Sequence, residues 1–431
     1  MSELQLYTVR IEKLVHGGQG IGQLADGRKC FVWGSLPGEL VTIRLTKKKR
    51  DWAEGTAVEV LEASPDRIEP KEPTIYSATS PWQILDYKKE ADYKQSILSE
   101  AFSREHVDIQ WHEFYQDKSD FGYRNKMEYN FWFHTDTNRV DLALHARGTH
   151  MKIAVEGSAL AHPAINQAGK DLVKYINDKK IEARPLKSVI IRSSQDGQVG
   201  VSVFVNDERI ATEFDDFMHN YSRFEIIYSN PKSPASVSTK LLREQGDEFL
   251  SDTLLGRPFV YTPRSFFQVN IPVYEAVLKE IAEYVNSAQT DKIFDLYSGV
   301  GSIGLSVVGD AQKLTMIETE AESTAQAERN IRNQNNECVI TAPAESALEY
   351  IEHDGLVILD PPRAGLHADV TTKLAELAPP RIIYLSCNPS TQARDIKVLI
   401  DSGYAITHAR GYNFFPRTPH IESLVVLDKV Q

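Results

Sequence analysis

Arg381-Ile-Ile-Tyr384-Leu-Ser386-Cys387-Asn388-Pro389-Ser390-Thr391-Gln392-Ala393-Arg394 is the stretch on which the reading of this 431-residue chain turns. Its first six residues form an apolar, strand-like run that ends on a thiol. Asn388-Pro389 then turns the chain, and Ser390 and Thr391 open a helix. A cysteine at the carboxyl end of a buried strand in an α/β sheet faces the crevice where such folds bind ligands. A free cysteine taken alone is more often a small buried hydrophobe. The motifs around this one argue for the crevice.

Lys292-Ile-Phe-Asp295-Leu-Tyr297-Ser-Gly299-Val-Gly301-Ser302-Ile-Gly304 predicts a short strand, a glycine loop and the start of a helix. Such glycines let backbone N–H groups come close to a ligand. Lys313-Leu-Thr-Met-Ile-Glu318 reads as a second strand ending in a carboxylate, where a nucleotide-binding α/β domain places the acceptor for ribose hydroxyls. Gly299, Gly301 and Gly304 satisfy G-x-G-x-x-G, a spacing that does not separate NAD from S-adenosylmethionine (AdoMet). Gly355-Leu-Val-Ile-Leu-Asp360 is a third strand ending in an acid. The two prolines after it force the chain out of the sheet, and Arg363 follows. Phe414-Phe-Pro-Arg417-Thr418-Pro-His420-Ile-Glu422 reads as a loop delivering His420 and Glu422 just before a final strand. A glutamate entering a strand is ordinarily solvated; beside a thiol nucleophile it becomes a general-base candidate.

Five motifs in this order, Ser265-Phe-Phe-Gln268-Val-Asn270, Asp295-Leu-Tyr-Ser-Gly, Asp360-Pro-Pro-Arg-Ala-Gly, Ser386-Cys-Asn-Pro-Ser-Thr and Thr418-Pro-His-Ile-Glu422, resemble the RNA uracil-C5 methyltransferases that use AdoMet. The resemblance covers nearly the whole chain. It implies that Cys387 is the nucleophile and Glu422 the base, with His420 the competing base. It also implies that Gln268, Tyr297, Glu318 and Asp360 hold AdoMet or the target base, with Ser302 and Glu345 in the same pocket. Amino-group methyltransferases carry an aromatic residue after a similar Asp-Pro-Pro turn, where Arg363 stands here.

The chemistry explains the residue types. Uracil C5 is a poor nucleophile, and a thiolate adding to C6 makes an enolate whose C5 can attack a sulfonium methyl. That is covalent catalysis, which divides one hard step into easier ones. A base then removes the C5 proton so that β-elimination returns the cysteine. Asp360 is expected to accept the uracil N3–H, which separates uracil from cytosine. A free thiol with a pKa near ~8.5 is only a few per cent thiolate at neutral pH. Arg363, Arg394 and a helix terminus are the candidates for lowering it. Cys30 and Cys338 lack such context and read as ordinary thiols.

A chain of this length exceeds a single core. Three cysteines give no disulfide framework and point to a reducing, cytoplasmic setting. The absence of an apolar leader or a long apolar run argues against export and against a membrane. The net charge of −12 sits awkwardly with an RNA partner, but it is unevenly spread. Residues 1–50 carry nine Lys/Arg against four Asp/Glu, while residues 293–431 carry eleven against eighteen. Local patches, rather than the total, would meet phosphate.

Short alternating strands (Tyr7–Leu14, Lys29–Trp33, Glu39–Leu45, Ala57–Leu61), with Gly17–Gly22 and Leu36–Gly38 as turns between them, predict a small OB-type barrel. Lys47-Lys-Lys-Arg50 beside Trp52 gives it a cationic tip. The segment resembles the TRAM domain, an RNA-binding barrel. Ala63–Pro73 is a proline-punctuated linker. Beyond it a mixed region holds a helix over Lys88–Arg104 and a hairpin at Asp196-Gly197. Phe121-Gly-Tyr123-Arg124-Asn125-Lys126 resembles a family segment that faces RNA; an edge hairpin with exposed charges would look similar. Many relatives bind a 4Fe–4S cluster through four cysteines. The matching positions here fall at or near Lys71, Ser77, Ser80 and Ser158, and hydroxyls are poor ligands for such a cluster, so none is expected.

The expected architecture is α/β: residues 1–62 an OB-like TRAM barrel, 63–262 a central α+β RNA-binding domain, and 263–431 a Rossmann-like class I methyltransferase domain. The expected function is AdoMet-dependent formation of 5-methyluridine in structured RNA by a monomer, with 23S rRNA favoured because the barrel is present, and no DNA or membrane partner. The alternatives are a tRNA uracil-54 enzyme, a cytosine-C5 enzyme and a non-catalytic RNA-binding assembly factor. Flipping of the target base is implied, since both faces of its ring must be reached.

Overall fold

The computed structural model describes residues 5–147, 151–234 and 236–430. Alternating apolar residues close the first five strands into a barrel: β1 (Leu6–Leu14), β2 (Gly20–Gln23), β3 (Lys29–Trp33), β4 (Leu40–Lys48) and β5 (Trp52–Glu62), in the order β1-β2-β3-β5-β4. Val9, Ile11, Cys30, Val32, Val41 and Ile43 fill it. One expectation changes here. Gly20 and Gly22 belong to a strand rather than a turn, because β2 crosses β1 so closely that a Cβ on Gly22 would lie 2.2 Å from the Arg10 carbonyl oxygen. Residues 1–4, inside the expected barrel span, lie outside the described residues, as does Gln431 at the other end.

The linker region folds into α1 (Tyr76–Thr79), a 3₁₀ turn at Pro81–Ile84 and α2 (Tyr87–Arg104), capped by Asp86, whose carboxylate accepts from the Lys88 N–H. Glu72 holds the region around Ser80 and Ser158. Its carboxylate accepts from the Gln83 amide (2.7 Å), the Thr79 hydroxyl (3.2 Å) and the Ala159 N–H (2.8 Å), while Gln83 also reaches Ser80. Ser158 turns its hydroxyl to the Leu160 N–H. These oxygen donors, already engaged with one another, do not fit an iron–sulfur cluster.

The central sheet contains β6 (Lys126–His134), β7 (Arg139–His145), β8 (Lys152–Val155), β9 (Leu186–Ser193), β10 (Val199–Val205), β11 (Arg223–Tyr228) and β12 (Lys240–Gly246), ordered β12-β11-β10-β9-β6-β7-β8. One face packs on α3 (Pro163–Asp178). Gly197 at φ 90° makes the expected β9–β10 turn.

The last region opens with the hairpin β13 (Leu250–Leu254) and β14 (Arg257–Tyr261) and then α4 (Ile271–Ser287). There follow β15 (Lys292–Leu296), α5 (Gly304–Val307), β16 (Lys313–Glu318), α6 (Ala321–Asn330), β17 (Glu337–Thr341), β18 (Leu356–Leu359), α7 (Ala368–Leu377), β19 (Arg381–Ser386), α8 (Pro389–Asp401), β20 (Tyr404–Tyr412) and β21 (Glu422–Lys429). The sheet order is β17-β16-β15-β18-β19-β21-β20, parallel except where β21 runs antiparallel to both neighbours. Both faces are covered, which is why the parallel strands are apolar throughout. Ile383 and Leu385 join the core under α4, whereas Ile382 and Tyr384 join the core under α7 and α8.

Two packing facts bear on the division into domains. The β13–β14 hairpin shares its core with α4 and β15, since Leu250, Phe259 and Tyr261 belong to that cluster. Helix α2 buries Ala101 and Phe102 against Leu399 of α8 and Ala409 of β20. We therefore propose that the catalytic unit begins near residue 250 rather than 263 and takes in α2 as an outer helix. Among the described residues, no helix is long and apolar enough to cross a membrane.

Candidate active site

The sheet order reverses between β15 and β18, and an open α/β sheet binds ligands above such a point. Asp295, Asp360 and Cys387 all come from strand ends there, and Glu422 joins them from the first residue of β21. The β19–β21 register pairs Ser386 with Ser423, so continuing it one step sets Cys387 opposite Glu422. Residues opposite each other on neighbouring antiparallel strands have Cα atoms about 4.5–5.5 Å apart, with side chains on one face. On the far side of Glu422 stands Tyr412 of β20.

The residues after Cys387 fix its position. Ser386 Oγ accepts from the Asn388 N–H (3.1 Å). The Asn388 side chain caps α8 through the Ser390 N–H (3.2 Å) and donates to the Arg363 carbonyl (2.8 Å). Pro389 occupies the first turn of the helix, where no N–H is needed. The Cys-Asn-Pro turn and the Asp360-Pro-Pro-Arg363 turn are thereby locked together.

The loop that delivers Glu422 is held from outside by α2. Glu90 and Lys94 form a fully buried pair at 2.8 Å. Glu90 accepts from the Arg417 N–H (3.0 Å) and the Asn413 amide (3.0 Å), and Lys94 donates to Asn413 Oδ1 (2.6 Å). Arg417 sits at φ 63° and is anchored by Asp120 and the Leu85 carbonyl. A left-handed arginine of this kind persists only where its surroundings over-determine it.

Burial dominates the electrostatics. It pushes the Cys387 thiol up to about 12, with the charges of Glu422 and Asp360 adding to the rise and Arg363 opposing it. Glu422 is raised well above the usual carboxylate range by burial and by Asp360, again opposed by Arg363. Burial alone lifts Asp360 to about 7. Asp295 also reaches about 7 through burial, although its Oδ2 accepts from the Gly304 N–H (2.8 Å). Arg394 does not serve the thiol; it forks onto Asp395 and the Ala364 and Leu366 carbonyls. His420 is driven down to about 3 by burial and by surrounding cations. Its Nδ1 accepts from Arg363 Nη2 at 3.3 Å, so that nitrogen is already engaged.

The remaining expected residues fall in two groups. Gln268 is buried in the connection from β14 to α4, and its carbonyl accepts from Asn125 Nδ2 (3.0 Å). Ser302 bonds the Tyr274 hydroxyl (2.7 Å). Tyr274 is fully buried on α4 and feels Asp360, Asp295 and Glu422. Farther along the same edge, Glu318 accepts from the N–H groups of Gly299 (2.9 Å), Thr319 and Glu320 (2.8 Å each). Tyr297, at φ 64°, turns the chain out of β15. Glu345 lies exposed on a 3₁₀ turn after β17, and its charge reaches Tyr297. The helix that starts after the glycine loop is a single turn, α5, and the loop is held inward by its own N–H groups: Gly299 donates to Glu318, Gly301 to the Ser298 carbonyl and Gly304 to Asp295. The Ser298 hydroxyl and Asp295 Oδ1 are buried without hydrogen-bond partners, and nothing lies within 4 Å of where a Gly299 Cβ would stand. An open cradle with unsatisfied polar atoms suits a polar ligand.

Sequence reading missed Tyr274, which looks like any core aromatic on an amphipathic helix. It also missed Phe266, which is 68% exposed one step before the buried Phe267. A large apolar side chain that exposed, two residues before Gln268, leaves a flat aromatic face open to solvent. The Tyr123–Lys126 segment docks on this site: Tyr123 donates to the Pro416 carbonyl, Arg124 lies over Phe415, and Asn125 holds Gln268.

The family model described as tRNA (uracil-5-)-methyltransferase matches residues 86–351 and 344–430, and that of the TRAM domain matches residues 3–58. An uncharacterized RNA methyltransferase of Clostridium tetani is 30% identical over 98% of this chain and 97% of its own length. One from Caldanaerobacter subterraneus is 28% identical over the whole of both. The crystal structure of the Pyrococcus abyssi tRNA (uracil-54, C5)-methyltransferase with S-adenosyl-L-homocysteine shares the fold, with a TM-score of 0.78 at 23% identity over 97% of this chain and 99% of that one.

Proposed function

The chain belongs to the tRNA (uracil-5-)-methyltransferase family, and from that premise we propose that it methylates uracil C5 in structured RNA through a covalent bond from Cys387 to C6. The placement of Cys387 opposite Glu422, with the half-buried Asp360 beside them, carries this reading. AdoMet, when bound, supplies the methyl group as an electrophilic sulfonium carbon. Glu318, Tyr297, Ser302, Gln268 and Glu345 are the residues we assign to its crevice, together with the open glycine loop.

Cys387 gives its S–H proton to solvent as the sulfur adds to C6, and the C5=C6 electron pair moves through C5 to the carbonyl; the sulfur recovers a proton from Glu422 after it is expelled. After C5 has gained the methyl group, Glu422 takes the C5 proton. The pair from that C–H bond re-forms C5=C6 and expels the cysteine sulfur. A carboxylate whose pKa is raised is the stronger base for this step. His420, with Nδ1 engaged and its pKa depressed, is the poorer candidate. Asp360 accepts the uracil N3–H, a donor that cytosine lacks.

We propose ribosomal RNA as the substrate because of the barrel, in a reducing, cytoplasmic setting suited to three free thiols. One chain holds every residue of the site, so a monomer suffices. Transfer RNA is the second reading, favoured by the match over 97% of this chain, barrel included, to a structure named for tRNA uracil-54. The test gives wild type and Cys387→Ala labelled AdoMet with separate rRNA and tRNA transcripts, followed by nucleoside mass spectrometry. Label in 5-methyluridine from wild type alone is the expected result. Label in any other nucleoside would overturn the chemistry.

A further inference from the structure

Most buried or half-buried arginines among the described residues face a carboxylate: Arg67 pairs with Glu39, Arg223 with Glu225, Arg257 with Glu337, Arg381 with Asp428 and Arg417 with Asp120. Among the described residues, Arg124 and Arg147 break the pattern. Neither makes an ion pair, and the Nε of each is buried without a hydrogen-bond partner. Arg192 also lacks a carboxylate, but it is fully buried, stacked on Tyr261 and bonded to the Phe267 carbonyl. A charged donor left unmatched in the interior is costly unless a ligand completes it.

The unmatched cations meet where three sheets meet. Arg147, just after β7, lies over Trp33 at the end of β3, 5.7 Å from its ring centre. Arg124 lies over Phe415 at 5.9 Å, and Phe415 packs edge-on to His420 at 5.6 Å. Arg363 is exposed and reaches His420 from the turn after β18. His16 is exposed on the β1–β2 loop, whose Gly18 rests on Pro419 and accepts a hydrogen bond from Trp82 Nε1. The charge of Arg363 reaches His16, Arg147 and His420 and lowers the pKa of each, behind the larger effect of desolvation by the protein packed around them, which acts on His16 although it keeps a face to solvent. Of the acids nearby, Glu422 feels Arg363 without pairing to it.

We propose that Arg147, Arg363, Arg124 and His16 form a seat for a phosphate of the RNA strand next to the target uridine. This rests on the RNA reading above and adds to it the place where the backbone is gripped. Guanidinium groups match phosphate oxygens in pairs, and a uridine turned out of its stack leaves the adjoining phosphates accessible. Because the seat draws on barrel, central sheet and catalytic turn together, it sets the register of the strand over Cys387.

The probe is a synthetic stem–loop with one loop uridine, bound by wild type, Arg147→Gln, Arg147→Lys and His16→Ala across a salt series and followed by fluorescence anisotropy. Arg147→Gln should weaken binding about tenfold, the worth of one charged hydrogen bond, and flatten the salt slope by about 0.7, one single-strand phosphate contact. Arg147→Lys should restore the slope but not the full affinity. A methylphosphonate beside the uridine should reproduce the loss in wild type and add nothing in Arg147→Gln. An unchanged slope in Arg147→Gln, or a methylphosphonate loss that adds to that of the variant, would overturn the seat. So would a site that answers inorganic phosphate in thermal-shift measurements while RNA binding stays indifferent to Arg147. Binding is read without methyl transfer, so a wild type that binds as expected but does not methylate counts against the proposed reaction and leaves the seat standing.

Discussion

A thiol held up to about 12 is a nucleophile in waiting. At neutral pH the resting protein therefore keeps Cys387 almost wholly as the thiol. The sign follows directly. An acid whose pKa is raised is short of its charged form, so its reactivity climbs as pH rises. Alkylation of Cys387 by iodoacetamide, followed by peptide mass spectrometry, should increase about tenfold per pH unit between 7 and 10. A rate that levels off by pH 8 would mean a much lower pKa. Glu422 gives the complementary test. Glu422→Gln retains the shape but cannot take the C5 proton, so turnover should fall by about 10²–10⁴. A protein–RNA adduct should then persist on a denaturing gel. Loss of turnover with no adduct would place the base elsewhere. These side chains were legible because thiol, acid and glycine loop stand at strand ends in a recognisable order. Their pKa values were not, since burial and the mutual field of Cys387, Glu422 and Asp360 exist only once β18, β19 and β21 lie side by side.

Elements, rather than residues, explain how the base is held. The β1–β2 loop touches the segment that carries Glu422 at Gly18, where a Cβ would stand 2.4 Å from Pro419 Cβ. Gly17 has nearly the same φ (95° against 96°) but nothing within 4 Å. Alanine at either position bears the strain of a left-handed conformation, about 1–2 kcal/mol, but only Gly18→Ala must also push on Pro419. Gly18→Ala should therefore lower methyl transfer several-fold below Gly17→Ala at matched thermal stability. Equal activities would show that the contact does not reach the site. Sequence patterning found β15, β16, β18 and β19 because continuous apolar runs mark strands covered on both faces. It misjudged Gly20 and Gly22, whose role is close strand crossing, which depends on which segments approach in space. The role of α2 was hidden for the same reason: Glu90 and Lys94 look like solvent-facing helix residues until Asn413 and Arg417 arrive to meet them.

At the scale of the whole molecule, the barrel is built into the protein rather than strung from it. Leu14 and Leu36 share one apolar cluster with Trp82, Ile84, Leu85, Ile97, Leu98 and Ile421. Arg67 of the linker reaches back to the fully buried Glu39, which also accepts from the Ser64 N–H (3.3 Å). Removing residues 1–62 would expose that cluster, at about 1.5–3 kcal/mol for each large side chain returned to water, and would leave Arg67 without its carboxylate. The shortened chain should therefore melt at a lower temperature and aggregate. The full chain should unfold in one calorimetric transition, with no separate barrel step. An independent barrel would behave otherwise: its loss would leave the melting temperature unchanged and reduce only RNA affinity, most of all at low salt where the Lys47–Arg50 tip acts. The composition already carried part of this, in the contrast between a basic front and an acidic rear. It could not show that the two ends touch, because that contact runs through Gly18 and Pro419, two residues with no charge or periodicity to give them away.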